Sequence, residues 1–120
     1  MSQTDADGRD PMKTAGEFTV SFSSVTHSHA FDAVLDLDGD GFVVGIEVLG
    51  VLSKCAKLGA PRAEVVRRAG GISVAIDPGA DAMYVRLKSG TSSHQVVRPT
   101  ILEVAADHTL AGMRVQPQAR

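Results

Sequence analysis

The chain has 120 residues and a net charge of −2, with 43% hydrophobic residues, one tyrosine, no tryptophan and a single cysteine. That is the size of one small globular domain with a modest core, and a near-neutral balance gives no overall field to draw nucleic acid or a membrane surface. The apolar runs are too short for a membrane span, and Cys55 alone excludes an intramolecular disulfide, which fits a reducing, cytoplasmic setting.

Residues 1–16 mix Ser, Asp, Gly, Lys and Pro without an apolar segment. They read as a flexible amino-terminal tail rather than a signal peptide or anchor. Residues 17–120 then form a single domain. In it Phe18, Val20 and Phe22 alternate with Thr19 and Ser21, the period of a half-buried strand. His27 and His29 stand at strand spacing, point the same way, and can bind a metal such as zinc together with a carboxylate; polar residues on an exposed strand give the same pattern.

From Val34 the chain repeats itself. Val34 to Val48 aligns without a gap on Ile101 to Val115, about 67 positions later, so that Val34 meets Ile101, Leu35 meets Leu102, Asp40 meets Asp107, Gly45 meets Gly112 and Val48 meets Val115. A hairpin turning at Asp40-Gly41 sets Leu37 opposite Val44 and Leu35 opposite Ile46, with Asp36, Asp38 and Glu47 on the wet side. The same operation on the second copy turns at Asp107-His108, buries Leu102, Val104, Ala111, Met113 and Val115, and leaves Glu103 and Arg114 outside.

Asp36, Asp38, Asp40 and Glu47 also satisfy the spacing of a calcium-binding EF-hand loop. Against a calcium site, Val44 stands where a polar group is usual and no helical stripe precedes the loop. The second copy keeps the apolar pattern with Ala105 and Arg114 in place of Asp38 and Glu47, so the hairpin does not need the carboxylates.

Leu52, Cys55, Ala56 and Gly59, then Val66 and Ala69, recur at helical spacing, predicting a helix over about 52–69 with Pro61 at a start or kink and Gly70 as its stop. Cys55 on that stripe reads as a small buried residue rather than a nucleophile. The segment carries Lys54, Lys57, Arg62, Arg67 and Arg68 against Glu64 alone, a surface for an acidic partner or a solvated face. It lacks the interleaved aromatics that stack on single-stranded nucleic acid. Beyond it, Ile72, Val74 and Ile76, then Met83, Val85 and Leu87, alternate with polar residues around the turn Asp77-Pro-Gly-Ala-Asp81, which predicts a second kind of hairpin.

Asp77-Pro-Gly-Ala-Asp-Ala-Met-Tyr-Val-Arg-Leu87 resembles the opening block of the small bacterial family known as domain of unknown function 2283, which runs Asp-Pro-x-Ala-Asp-Ala-Leu-Tyr-Ile-x-Leu. Val34 to Leu49, an acidic turn followed by Val-Val-Gly-Ile-Glu, is similar to that family's closing block. Here the blocks stand in inverted order, so the chain is either two tandem degenerate copies or one permuted unit; tandem copies are favoured by weak partners at Asp10-Pro11 or Phe18 to Phe22 and at Ile101 to Val115. The resemblance implies no activity and no catalytic residues.

These readings combine into an α+β fold, mostly antiparallel sheet from two pseudo-symmetric repeats (about 17–50 and 71–116) with one connecting helix. The expected function is non-enzymatic, a protein-interaction or regulatory domain acting through the basic segment or a strand edge, by way of a protein partner or self-association. The alternative is metal binding through the acidic hairpin 36–47 or His27 and His29. No cofactor is implied, and no triad or phosphate-binding loop is present; Tyr84, Arg86, His94 and Glu103 are the remaining polar candidates and form no motif.

Overall fold

A computed structural model describes residues 17–70 and 72–117. The expected tail, 1–16, and the Asp10-Pro11 partner lie outside the described residues. Among the described residues seven strands form one antiparallel sheet: β1 (Phe18–Ser21), β2 (His27–Leu37), β3 (Val43–Leu49), β4 (Ser73–Asp77), β5 (Ala82–Arg86), β6 (His94–Val104) and β7 (Leu110–Val115), in the spatial order β1-β7-β6-β2-β3-β5-β4. Strands dominate, as the alternating sequence predicts. Among the described residues the helical part is two short pieces, α1 (Val51–Lys54) and α2 (Ala63–Arg68). No helix among the described residues is long and apolar enough to cross a membrane.

The sheet has one dry face, because residues two apart on a strand share a side. Ala33, Leu35 and Leu37 of β2, Ile46 and Val48 of β3, Met83 and Val85 of β5, Leu102 and Val104 of β6, and Met113 and Val115 of β7 form one apolar core with Val20 of β1. Val51, Cys55 and Leu58 close over it. Ten helical residues cannot cover seven strands, and Phe22, Ile72 and Leu87 from the connecting segments also pack against the core. Among the described residues the buried polar exceptions are Arg98 and Thr100, both on β6.

Both repeated hairpins form with the expected faces, and both turn one residue earlier than expected. Leu35 faces Ile46 and Asp36 faces Gly45, but a bulge then pairs Leu37 with Val43 instead of Val44. The turn runs from Asp38 to Gly41, closed by the Gly41 amide donating to the Asp38 carbonyl at 3.1 Å, with Gly41 at φ 88°. In the second hairpin Glu103 faces Gly112, a bulge pairs Val104 with Leu110, and the His108 amide donates to the Ala105 carbonyl at 3.0 Å, with His108 at φ 69°. The cause is the doubled apolar positions: with an extra residue in the strand, Val43 and Leu110 join the core while Val44 and Ala111 beside them are buried as well.

The single helix expected over 52–69 is replaced by α1, a turn and α2. Cys55 leaves helical geometry (φ −122°, ψ 72°), and the Leu58 amide donates to the Cys55 carbonyl to turn the chain inward. Gly59 then bridges to Thr109, its amide donating to the His108 carbonyl at 2.9 Å while its carbonyl accepts from Leu110. Pro61 has no amide to continue a helix, and Arg62 is extended (φ −67°, ψ 155°) before α2 begins. The three-residue spacing of Leu52, Cys55 and Leu58 therefore records a tight turn over the core. Val66 and Ala69 are only half-buried, and α2 contains no buried residue.

Two aspartates of the Asp77 to Asp81 turn have separate duties. The Asp77 carboxylate accepts from the amides of Gly79 (3.0 Å) and Ala80 (3.3 Å), holding the β4–β5 turn. Asp81 reaches across to α1, where its carboxylate accepts from the Leu52 amide and the Ser53 hydroxyl. Gly50, at φ 73°, offers α1 no side-chain cap, so Asp81 serves an open amide of the first turn from the β4–β5 turn. The Ser53 hydroxyl bond holds the Asp81 carboxyl below its ordinary value, against the opposing effect of burial.

Candidate functional site

The wet face of the sheet carries a polar cluster centred on Asp36. Gly45 stands opposite Asp36 on β3, and the side chain of Tyr84 lies across it; a Cβ at Gly45 would meet the Tyr84 hydroxyl oxygen at 1.8 Å. This lets the Tyr84 hydroxyl donate to Asp36 Oδ2 at 2.8 Å. The other carboxylate oxygen accepts from Gln95 Nε2 at 2.6 Å and from the Ser92 hydroxyl at 3.4 Å. Burial and the Asp36 bond push the Tyr84 phenol up to about 12, so it stays protonated at neutral pH and is no base. The cluster ties β2, β3, β5 and β6 together, and its groups are spent on one another.

Across the sheet, Glu103 and Arg114 stand on the wet face as expected and pair at 2.9 Å over Gly112. Of the remaining polar candidates, Arg86 sits 5.7 Å from the Tyr84 ring and His94 faces Leu37. They do not join Glu103 in a site.

The acidic hairpin is strand, turn and strand, and its carboxylates have separate partners. Asp38 accepts from the amides of Asp40 (2.9 Å) and Phe42 (3.0 Å) and pairs with Lys88 at 3.2 Å. Burial would raise its carboxyl, but the Phe42 amide, Lys88 and the Asp40 amide together hold it low. Asp36 is committed to Tyr84 and Gln95, Asp40 is exposed at the tip, and Glu47 faces Tyr84 from β3. Among the described residues no group of three His, Cys, Asp or Glu side chains is placed to hold a metal ion. The spacing that suggests a calcium loop is thus the spacing of a bulged hairpin, whose strands send alternate carboxylates to different neighbours.

His27 and His29 do share a face, and the structure adds what sequence spacing could not. They line a cleft of about 330 Å3 with Cys55, Lys57, Leu58, Val104 and His108. The Gly59–Thr109 bridge creates it by pinning the chain after α1 against the second hairpin's turn. Burial pushes the Cys55 thiol up, opposed by Lys54, so the thiolate that nucleophilic chemistry needs is disfavoured. His108 escaped the sequence reading because its place depends on that bridge.

The basic residues are dispersed. Lys54 donates to the Ala30 carbonyl at 2.8 Å and lies over the Phe31 ring, Lys57 lines the histidine cleft, and Arg62 is 3.9 Å from Asp107 at a wet surface. Only Arg67 and Arg68 remain on α2, in its last turn. The single basic helix face expected from sequence is not formed, because α1 and α2 are separate elements. Compared with protein-family models, with curated proteins and with solved structures, the chain finds no match.

Proposed function

We propose that the chain is a small non-enzymatic interaction domain whose partner adds a strand to the outer edge of β4. The carrying observation is that edge. β4 ends the sheet, pairs only with β5 among the described strands, and contains no lysine, arginine, proline or bulge, the usual devices that blunt an open edge. Exposed Ser73, Ala75 and Asp77 alternate with half-buried Val74 and Ile76, so an added strand would gain backbone bonds and apolar cover together. A partner captured from the native host by the intact chain should be lost with Val74→Pro, because the Val74 amide faces the open edge while those of Ser73, Ala75 and Asp77 face β5, and the circular dichroism spectrum should be kept. Capture undiminished by Val74→Pro refutes the edge.

We further propose that the domain is two degenerate copies related by an approximate twofold axis, divergent members of the family it resembles. The registers support this. Asp32 faces Pro99 at the centre of β2 and β6, and the bulges, Gly41 and His108, and Gly45 and Gly112 all recur about 67 positions apart. Val20 pairs with Met113 as Val85 pairs with Ile46. On this reading β1 pairs with β7 and β5 with β3, so each copy's opening strand completes the other copy's hairpin. Neither half should then fold stably alone; a monomeric, cooperatively melting half-chain would refute it.

Metal binding through His27 and His29 is the second reading and rests on those two imidazoles alone, which share a face; Cys55 and His108 line the same cleft but do not join them in a three-ligand group. Zinc titration should then raise the melting temperature of the intact chain and not of His27→Ala/His29→Ala. Equal responses from both refute it.

A further inference from the structure

We infer that Arg98 is the receptor for a carboxylate, a monoanion carried on an apolar body; this does not depend on the strand-edge reading. Arg98 stands on the dry face of β6 opposite Ala33, with Val96 and Thr100 on either side along that face. It is 8% exposed, and its Nε and Nη1 are buried without a hydrogen-bond partner. A guanidinium does not give up its proton in a protein, so the charge remains, and an unpaired buried charge is strongly unfavourable.

Every acidic side chain on the neighbouring strands is turned away or engaged. Asp32 stands opposite Pro99, on the other face. Asp36 is held by Tyr84 and Gln95, Glu47 faces Tyr84, and Glu103 is paired with Arg114. The Thr100 hydroxyl, the polar group beside Arg98 on its own face, donates to the Arg98 carbonyl at 3.1 Å. The free fork of donors fits a bidentate oxyanion.

The surroundings choose among oxyanions. Ala33, Phe31, Leu35 and Val96 are the same-face neighbours, and one positive charge among apolar walls matches one negative charge. A phosphate dianion would bring a second charge with no partner.

The test is the melting temperature of the full chain at constant ionic strength with sodium acetate, sodium hexanoate, inorganic phosphate, or a short apolar peptide as free acid and as amide. Hexanoate or the free-acid peptide should raise it by roughly 10 °C at a hundred times its Kd. The better of those two distinguishes a free carboxylic acid from a peptide terminus, and either supports the inference. Arg98→Met should melt no lower than the unliganded chain and lose the response. Should Arg98→Met not fold, Arg98→Lys, which keeps the charge without the fork, should weaken carboxylate binding at least tenfold. No carboxylate response up to 100 mM (about the weakest useful affinity), a larger response to phosphate or to the peptide amide, or an undiminished response in the variants overturns it.

Discussion

Gly45→Ala tests the cluster on the wet face most directly. The new Cβ would lie 1.8 Å from the Tyr84 hydroxyl oxygen, 2.2 Å from Cζ and 2.9 Å from Cε2, where ordinary contact begins at 3.4 Å. The ring must therefore swing away, breaking its bond to Asp36. A hydrogen bond to a charged group contributes about 1.5–3 kcal/mol, and re-exposing part of the ring adds about 1 kcal/mol. Removing a strand glycine returns about 0.5–1 kcal/mol. The net expectation is a loss of about 2–3 kcal/mol in urea denaturation. Because the chain has one tyrosine and no tryptophan, its ultraviolet titration reports Tyr84 alone. The phenol should titrate near the ordinary tyrosine value in Gly45→Ala and well above it in the parent. In a Tyr84→Ala background, Gly45→Ala should cost almost nothing. An equal cost in both backgrounds, or an unchanged titration, would show that the ring is not held over Gly45.

The same phenol predicts an alkaline limb. Between the ordinary tyrosine value of about 10 and about 12, the unfolded chain gives up its phenolic proton while the native state keeps it, so stability falls as pH rises through this window and is untouched below it. Tyr84→Phe should remove that loss, as pH-dependent urea midpoints would show. On the acid side, the lowered Asp81 carboxyl stabilises above its unfolded value and stops doing so as pH falls through its native one; Asp81→Asn should lower the urea midpoint at pH 7 and flatten its acid dependence. His108 occupies a left-handed turn position, so His108→Gly should stabilise by up to about 1 kcal/mol, while Gly41→Ala at the matching turn should destabilise by about 1 kcal/mol in the same assay. Fully buried Val51→Ala should cost about 2 kcal/mol, and half-buried Val66→Ala less than about 1 kcal/mol; equal costs would mean that α2 docks as firmly as α1.

Alternation was enough to find the strands around Leu35, Val85 and Met113 and to assign their dry faces, since period two is a local property. The bulges were hidden because Val43-Val44 and Leu110-Ala111 read equally well in either register. The order β1-β7-β6-β2-β3-β5-β4 was not legible: which strand lies beside β3 or β7 depends on contacts far apart in the chain. Pro99 concealed the first half of β6, since proline argues against a central strand. It is tolerated because β7 has already ended there, and its carbonyl still accepts from the Gln116 amide. The partners of the candidate residues were less legible than their faces. Tyr84 pointed outward from sequence alone, but only the β3–β5 register sets it over Gly45 beside Asp36, and nothing in the run from Val96 to Thr100 marks Arg98 as buried.

The long β2–β6 ladder has a kinetic consequence. It joins His27 to Val104 and Leu37 to His94, residues 77 and 57 positions apart, whereas each bulged hairpin closes over a few residues. Local hairpins can form within microseconds, but the central ladder must first meet the entropy of closing a loop that includes α1, α2 and the β4–β5 hairpin. Until then the inner edges of β2 and β6 are both open, each eleven residues long and each fitted to the other. During folding at high concentration, β2 of one molecule can meet β6 of another, so the refolding yield should fall with protein concentration through exchanged, strand-swapped oligomers.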